Sequence, residues 1–305
     1  MAVVNFYVQA DMSNPTFFYG SITGYTSTSI SLSDGVHSGT YSGSFNYSSA
    51  TALSNSIITG YAGYSNGQLS SRVSGLSVSL STIDSYSQSG NALGLYQIAL
   101  SGNDTINGSG FNDALQGFGG NDTINGTTGI DTARYLSTSN NYTITPNTNG
   151  FTVIDKTGAN GTDTLSGIER LQFTDANVAI DINGNAGTTA KILGAVFGAG
   201  SVSNQQYVGI GLSYLDGGMS YQDLMQLALT AKLGAGVNDP TQVVNLLYTN
   251  VAGATPDLAS LNNFVGLLNS HTYTTASLGV IAADTSLNTT NINLVGLAQT
   301  GIHYV

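Results

Sequence analysis

The sequence predicts a multidomain protein of the β plus α class. Three observations lead to this fold class: apolar residues alternate over residues 1–98, a nine-residue repeat begins near residue 99, and apolar residues take helical spacing after residue 188. Period-two alternation is typical of half-buried strands, and a period of about 3.6 is typical of amphipathic helices. We expect an N-terminal β-rich domain over 1–98, a short parallel β-roll with further strands over 99–187, and a small helical domain over 188–305.

Composition excludes several classes of protein. The chain has 305 residues, of which only 8% are charged, and its formal net charge is −11. Nucleic-acid binding needs a basic face, so we expect no nucleic-acid partner. The chain has no cysteine, which excludes disulfides and thiolate zinc sites. No run of about 18 apolar residues occurs, so we expect no membrane span, and residues 1–15 lack the basic start of a secretory signal.

Residues 1–98 are rich in Ser, Thr, Gly and Tyr, and their apolar residues come in short alternating runs. Such runs are Ile30 with Leu32, Phe45 with Tyr47, and Leu76 with Val78 and Leu80. The Asn66-Gly67 pair predicts a hairpin turn. We therefore expect short strands throughout this segment and no helix.

A nine-residue repeat runs from Leu100 to Arg134 as LSGNDTIN, GSGFNDALQ, GFGGNDTIN and GTTGIDTAR. Every unit carries an aspartate two residues before an apolar residue. The aspartates are Asp104, Asp113, Asp122 and Asp131, and the apolar residues are Ile106, Leu115, Ile124 and Ala133. The spacing matches the nonapeptide pattern G-G-x-G-x-D-x-U-x, which is typical of a parallel β-roll.

The spacing also predicts a metal site. Two repeats complete one coil, so residues eighteen apart stack at about 4.8 Å, with Asp104 over Asp122 and Asp113 over Asp131. Two carboxylates about 5 Å apart repel by roughly 3 kcal/mol at an effective dielectric of about 20, and a hard divalent cation reverses that sign. Ca²⁺ accepts about six to eight oxygens in flexible geometry, whereas Mg²⁺ demands a tighter octahedron. We therefore predict two or more Ca²⁺ ions.

Glycine carbonyls in the turns are the other predicted ligands, because glycine tolerates the conformations that turn carbonyls inward. Some repeat positions depart from the glycine consensus, which makes the Asp113–Asp131 pair the less regular site. The predicted carbonyl ligands are Gly117, Gly119 and Gly126, and the departures are Ser109, Phe111, Phe118 and Thr127.

Capping residues predict helices in the last third of the chain. Asp239-Pro240 is an N-cap followed by proline at the first helical position, and we expect the same arrangement at Thr255-Pro256. Apolar residues at helical spacing follow both pairs. These are Val243, Val244, Leu246, Leu247 and Val251, then Leu258, Leu261, Phe264, Val265 and Leu268.

The repeat stretch resembles the RTX proteins, the hemolysin-type calcium-binding repeat family. The segment GTDTLSGIERLQF at 161–173 looks like the end of such a repeat block. The segment at 246–268 is similar to a helical domain of unknown function that often accompanies RTX repeats. Its Leu247-Tyr248 and Pro256-Asp257 pairs match that domain, whereas the arginine and tryptophan of its usual pattern are missing.

The resemblance implies a route of export and a role for calcium. RTX proteins leave Gram-negative bacteria by type I secretion, directed by an uncleaved C-terminal signal, which would lie within 188–305. The implied location is extracellular or at the cell surface. The family also implies a chain that stays loose at low cytosolic calcium and folds at the higher calcium outside.

No catalytic motif is found. His37, His271 and His303 are the only histidines, and none lies in an H-E-x-x-H motif. There is no G-x-S-x-G elbow either, so the chain lacks the signatures of an RTX metalloprotease or lipase. Glu169 is the only glutamate, which excludes a pair of catalytic glutamates. We expect no enzyme and no catalytic residue.

Three functional hypotheses remain open. The first is a secreted structural protein that self-assembles into a filament, matrix or surface layer, with MAVVNFYV at 1–8 as a strand donated to another copy. The second is an adhesin or carbohydrate-binding module in which Tyr61, Tyr64 and Tyr86, expected in loops, stack on cell-surface glycans. The third is a hydrolase with an unrecognised site in 1–98, for instance a triad built on His37.

Overall fold

The computed structural model describes residues 1–305. Contacts divide the chain into two compact units, Met1–Asp175 and Ala176–Val305. The first unit holds strands and short helices, and the second is mainly helical, which confirms the predicted β plus α class. The division into three segments at 98/99 and 187/188 stays a prediction, although the first two segments share a sheet.

The first unit contains most of the strands. They are β1 (Val3–Phe6), β2 (Ser21–Tyr25), β3 (Ser29–Ser33), β4 (His37–Ser44), β5 (Ile57–Ser65), β6 (Gln68–Ser79), β7 (Thr105–Asn107), β8 (Ala114–Leu115), β9 (Thr123–Asn125), β10 (Thr132–Arg134), β11 (Tyr142–Asn147), β12 (Gly150–Asp155), β13 (Thr162–Ser166) and β14 (Arg170–Gln172). Its helices are α1 (Ala50–Ser54), α2 (Leu80–Gln88) and α3 (Ala92–Ala99). A 3₁₀ turn spans Ser139–Asn141.

Eleven strands of this unit form one sheet in the order β11-β12-β13-β9-β7-β1-β6-β5-β4-β3-β2. Strands β2 to β6 are joined as an antiparallel meander. The predicted turn at Asn66-Gly67 connects β5 to β6, with positive φ at both residues, 49° and 75°, as a type I′ hairpin requires. Strand β1 links the meander to the roll, because it pairs antiparallel with β6 and parallel with β7.

The roll has two parallel ladders. In one, β7, β9 and β13 run parallel with β1 at their end. In the other, β8, β10 and β14 run parallel, and Asp11 bridges to Ala114 at the end of β8. The apolar residues of the repeats stack inside, and none has exposed surface. These residues are Ile106, Leu115, Ile124 and Ala133, continued by Leu165 and Leu171.

The roll is longer than the repeats. Val4 is in register with Ile106 in the first ladder, and the Met12 N–H donates to the Ala114 carbonyl at the start of the second. Residues 2–12 therefore form a coil on one end of the repeats. Residues 162–172 form another coil on the other end, through the pairing of β13 with β9 and of β14 with β10.

The turns of the roll leave no room for side chains at some glycines. Gly120 has φ of 116°, and a Cβ there would overlap the carbonyl oxygen of Gly102 in the neighbouring coil. Only glycine adopts this conformation without a clash. The repeat glycines therefore permit the close stacking of backbone that the parallel ladders require.

The prediction of strands throughout residues 1–98 is wrong at three places. Helix α2 begins after Ser79, whose side chain accepts from the Thr82 N–H, and α3 begins after Asn91, whose side chain accepts from the Gly94 N–H. The serines and the threonine of α2 have only moderate helix propensity. The N-cap hydrogen bonds stabilise the start of each helix in spite of this. The third place is α1. The expected strand at Phe45 and Tyr47 is also absent, because β4 ends at Ser44.

The second unit is a bundle of short helices. They are α4 (Asn185–Phe197), α5 (Gln205–Asp216), α6 (Tyr221–Leu233), α7 (Pro240–Ala252), α8 (Leu258–Asn269), α9 (Thr275–Ala283), α10 (Ser286–Asn291) and α11 (Leu294–Thr300), with 3₁₀ turns at Ala199–Ser203 and Gly234–Asn238 and the antiparallel strands β15 (Asn177–Ala179) and β16 (Ile302–Tyr304). Asp239 caps α7 as predicted. The prediction for Thr255-Pro256 is wrong, because the N-cap of α8 is Asp257. Pro256 therefore lies before the cap and not at the first helical position.

Candidate metal centre

The acidic side chains of the first ladder form one column. The Asp104 N–H donates to Asp122 Oδ1 at 2.8 Å, and the Asp122 N–H donates to Asp163 Oδ1 at 3.0 Å. The Ala2 N–H closes the column by donating to Asp104 Oδ1. Each carboxylate thus accepts from the backbone of the adjacent coil, in the stacking that the eighteen-residue spacing predicts for Asp104 and Asp122.

The second ladder carries a matching column. The Asp113 N–H donates to Asp131 Oδ1 at 2.8 Å, and the Asp131 N–H donates to Glu169 Oε2 at 2.8 Å. The Ala10 N–H donates to Asp113 Oδ1 at 2.5 Å. The structure therefore brings Asp113 and Asp131 onto adjacent coils, and it adds a third carboxylate, as it does in the first column.

Asp163 and Glu169 are the acidic residues that the sequence reasoning missed. Both lie outside the nine-residue register, yet both keep its local signal, an acid two residues before a buried leucine, Leu165 or Leu171. The same two-residue relation holds at the other end, where Ala10 precedes Met12. A search for the acid-x-apolar element without the fixed period would have found the two acids.

Several carboxylate oxygens in the columns have no hydrogen-bond partner. Oδ2 of Asp104, Asp122 and Asp131 is buried and unpaired, and these side chains are at most 4% exposed. Asp113 differs, because its Oδ2 accepts from the Ser109 N–H and hydroxyl at 2.5 and 3.0 Å. Buried charged oxygens without a partner oppose folding by several kcal/mol unless a cation neutralises them. The unpaired oxygens therefore fit a site for a hard cation.

Burial and mutual repulsion raise the pKa values of three column carboxyls. Burial, with the charges of Asp163 and Asp104, raises the pKa of Asp122 to about 8. Burial, with the charges of Glu169 and Asp113, raises the pKa of Asp131 to about 7. Burial also raises the pKa of Asp163 to about 7. Without a cation these groups retain protons near neutral pH, so a divalent cation has to displace them.

Two of the predicted carbonyl glycines lie against the columns. A Cβ at Gly117 would overlap Asp122 Oδ2, and a Cβ at Gly126 would overlap both the Gly167 carbonyl and, at 2.5 Å, Asp131 Oδ2. Gly119 is more open, since its Cβ would stand 3.9 Å from the Ser101 carbonyl oxygen and 3.7 Å from that of Ala159. The structure therefore packs Gly117 and Gly126, but not Gly119, against the carboxylates.

The side chains alone do not make a closed cation site. No group of three or more His, Asp or Glu side chains is arranged to hold one metal ion. A calcium ion needs about six to eight oxygens, so backbone carbonyls from the turns must supply most of them. This is the division of ligands that the glycine-rich turns favour.

The repeat segment, which supplies four of the six column acids, is similar to a known family. Residues 98–133 match the RTX calcium-binding nonapeptide repeat in four copies. These residues therefore carry RTX-type calcium-binding repeats. The RTX family supports Ca²⁺ as the ion of the roll, and RTX repeats are typical of secreted calcium-binding proteins.

Whole-chain comparisons add little. Among curated proteins, none matches the chain. Among solved structures, the extracellular lipase LipA from Serratia marcescens is similar at 20% identity and a TM-score of 0.18, over 28% of this chain and 16% of that chain. This chain therefore spans less than a fifth of that protein's length. None of the helices combines the length and the apolar character that crossing a bilayer requires.

We expect Asp122→Asn to weaken calcium binding at least about tenfold and to raise the melting temperature of the calcium-free protein. Asparagine keeps the Oδ1 that accepts from the Asp104 N–H but removes the carboxyl group whose ionisation is opposed by burial and by neighbouring acids. Calorimetric calcium titration and thermal melts measure the two effects. The matched control is Asp84→Asn on exposed α2, which should change neither. Equal calcium affinity in Asp122→Asn and wild type would contradict the site.

The stability of the calcium-free protein should fall as pH rises. The folded protein holds the protons of Asp122, Asp131 and Asp163 more tightly than the unfolded chain. The stabilisation is therefore fully present below the unfolded pKa of 3.8 and is lost as pH rises through the folded pKa values of about 7 to 8. We expect a melting temperature at least about 5 °C lower at pH 8 than at pH 5 in chelator. Calcium should remove this difference, and a flat profile in chelator would contradict the burial of these acids.

Proposed function

We propose that this chain is a secreted calcium-binding structural protein that folds on binding calcium and self-assembles into an extracellular filament, matrix or surface layer. The observation that carries the calcium part is the pair of carboxylate columns with unpaired buried oxygens. The assembly part rests on an exposed sheet edge, described below. Gram-negative origin, type I export and a C-terminal secretion signal within 188–305 belong to the same proposal.

The proposed calcium ligands come from adjacent coils. Asp104 and Asp122, with Asp163 beyond them, would hold ions in the first column. Asp113, Asp131 and Glu169 would do so in the second. Gly117 and Gly126 are the favoured sources of carbonyl oxygen, with Gly119 as a more distant one. We propose two or more ions, because each column contains stacked acidic side chains in successive coils.

Calcium would couple to folding through charge. The columns contain six acidic side chains in a chain of net charge −11, five of them buried and Glu169 half-buried. The buried five are Asp104, Asp113, Asp122, Asp131 and Asp163. An ion that binds the folded roll and not the unfolded chain stabilises it by mass action. The chain would therefore be loosely folded where calcium is scarce and compact where calcium is abundant.

The sheet has one unprotected edge. Strand β2 is outermost, every residue in it is exposed, and Ile22 and Tyr25 expose 63% and 67% of their surface. The strand has no charge and no proline, whereas the opposite edge strand β11 contains Pro146, which has no N–H to donate. An exposed, uncharged edge pairs readily with a strand of another copy. We therefore propose β2 as the contact for self-assembly.

The N-terminal strand is a less direct candidate for that contact. Residues 3–6 form β1, which is hydrogen bonded on both edges within the same chain. Donation of this strand to another copy would first break the pairings with β6 and β7. Assembly through MAVVNFYV would therefore require two copies to exchange β1, each strand replacing the other between β6 and β7.

The test of assembly is electron microscopy of the purified protein with millimolar calcium and again with chelator. We expect ordered assemblies only with calcium, and we expect Ile22→Lys to abolish them because a lysine on the edge opposes pairing. Tyr19→Lys, at a residue 65% exposed but outside the strand, is the matched control and should assemble normally. Calcium titration should be unchanged in both variants. Monodisperse monomers of the wild type under both conditions would reject assembly and leave calcium binding standing.

One observation favours a hydrolase as the alternative. His37 Nδ1 lies 3.1 Å from Asp34 Oδ2, which resembles the orienting pair of a catalytic triad. Asp34 Oδ1 also accepts from the N–H groups of His37 and Val36. These hydrogen bonds, that of His37 most strongly, lower the pKa of Asp34 to about 2. The pair thus also closes the turn between β3 and β4. Hydrolytic activity that His37→Ala removes would support the alternative.

The tyrosines expected to bind glycans do not form one platform. Tyr61 lies in β5 and its ring is 4.9 Å from that of Tyr41. Both rings line an apolar cavity of about 270 Å³ with Tyr96. Tyr64 is in β5 and Tyr86 is in α2, so none of the three lies in a loop. A glycan-binding function would therefore need a different site.

A further inference from the structure

A polar cavity of about 230 Å³ lies beside the second ladder of the roll. Gln116 follows β8 and Arg134 ends β10, so the two side chains come from adjacent coils, eighteen residues apart. Tyr135, Tyr142 and Phe118 also line the cavity. None of these residues is one of the column acids, although Asp163 of the first column acts on the Tyr135 hydroxyl.

One buried polar atom in this cavity lacks a hydrogen-bond partner from the protein. Gln116 is 2% exposed and its Oε1 is unpaired. The Tyr135 hydroxyl makes no hydrogen bond of normal geometry either, but the Asp163 carboxylate lies close enough to interact with it. An unsatisfied buried polar group costs about 1–3 kcal/mol, and native proteins keep few of them. The Gln116 oxygen therefore indicates that a molecule in the cavity supplies the missing hydrogen bond.

The backbone of Phe118 supports the same interpretation. Its φ is 68°, a conformation that costs a side chain with a Cβ roughly 1–2 kcal/mol. The residue occupies a position where the repeat consensus has glycine, which would adopt the conformation freely. The chain thus accepts strain that a glycine would remove. Strain of this kind clusters at ligand sites, and here it places an aromatic ring in the wall of the cavity.

The lining selects a neutral ligand rich in hydroxyl groups. Arg134 donates through Nε to Gln172 at 2.6 Å, and its guanidinium has further N–H donors, which disfavours a cationic ligand. An anion is disfavoured by the charge of Asp155, which acts on Tyr142. An apolar ligand would leave Gln116 unsatisfied. Hydroxyl groups can both donate to Gln116 and accept from Arg134, while the aromatic rings contact an apolar sugar face.

We propose that this cavity, lined by Gln116, Phe118, Arg134 and Tyr135, binds a single neutral sugar unit, free or at the end of a glycan. The cavity volume is below the roughly 300 Å³ at which drug-sized sites begin, so it suits one unit and not a long stretch of chain. The site lies in the same unit as the roll, and Gly119, the more distant of the proposed carbonyl ligands, is in its wall, whereas no column acid lines it. Sugar binding goes beyond the proposed structural function and does not depend on self-assembly.

The test is titration of the full calcium-loaded chain with glucose, galactose and mannose at millimolar concentration. Calorimetry and saturation-transfer NMR measure the binding. We expect at least one of these hexoses to bind. Gln116→Met keeps the length of the side chain and removes the unpaired oxygen, so affinity should fall at least about tenfold. Gln206→Met, on the exposed surface of α5, is the matched control and should bind as the wild type does.

A second variant separates binding from folding. Phe118→Gly restores the repeat consensus, so we expect its melting temperature to rise by about 2–4 °C while hexose affinity falls. A variant that is more stable and yet binds more weakly cannot owe its loss to unfolding. Binding of no hexose would overturn the proposal and would mean that water satisfies Gln116. Hexose binding that both variants leave unchanged would also overturn it, because the sugar would then bind elsewhere.

Discussion

The fold of the first unit depends on carboxylates that are stacked one coil above another. Each acidic side chain in a column accepts a backbone N–H from the adjacent coil, as Asp122 does from Asp104 and Asp131 does from Asp113. These hydrogen bonds set the stacking distance of the coils. They also leave oxygens buried and unpaired, so the same groups that align the coils oppose their collapse. A divalent cation bound to these oxygens would remove this conflict, so the proposed calcium binding and the folding of the roll are coupled.

The repeat made this part of the structure predictable, because a strict period fixes which residues stack. The stacking of Asp104 with Asp122 and the burial of Ile106 and Ile124 follow from spacing alone. The end coils were not predictable in the same way. Residues 2–12 and 162–172 continue the roll without the nine-residue period. The second segment keeps an acid two residues before a buried leucine, whereas the first has Ala2 and Ala10 in place of the acids, so only its pairing with the ladders reveals it. Whether Gly119 is a ligand also depends on orientation, which spacing does not determine.

The helices of residues 1–98 show a second limit of pattern reading. Leu80 continues the alternation of Leu76 and Val78, yet it begins α2, because the Ser79 side chain caps the helix there. Ser and Thr are common in both strands and helix caps, so a segment rich in them carries a weak local signal. In the second unit, where Asp239 and Pro240 stand together, the signal is strong and the helix starts where the sequence predicts.

The coil formed by residues 2–12 has a kinetic consequence. The Ala2 and Ala10 N–H groups contact carboxylates that are 102 and 103 residues away along the chain, so completing the roll closes a loop that contains the whole antiparallel meander. The loss of chain entropy on such a closure precedes the contacts that compensate for it. The roll therefore has high contact order at this end and low contact order within the repeats. Its repeat coils can zip rapidly, whereas docking of the terminal coil is expected to be the slow step of folding.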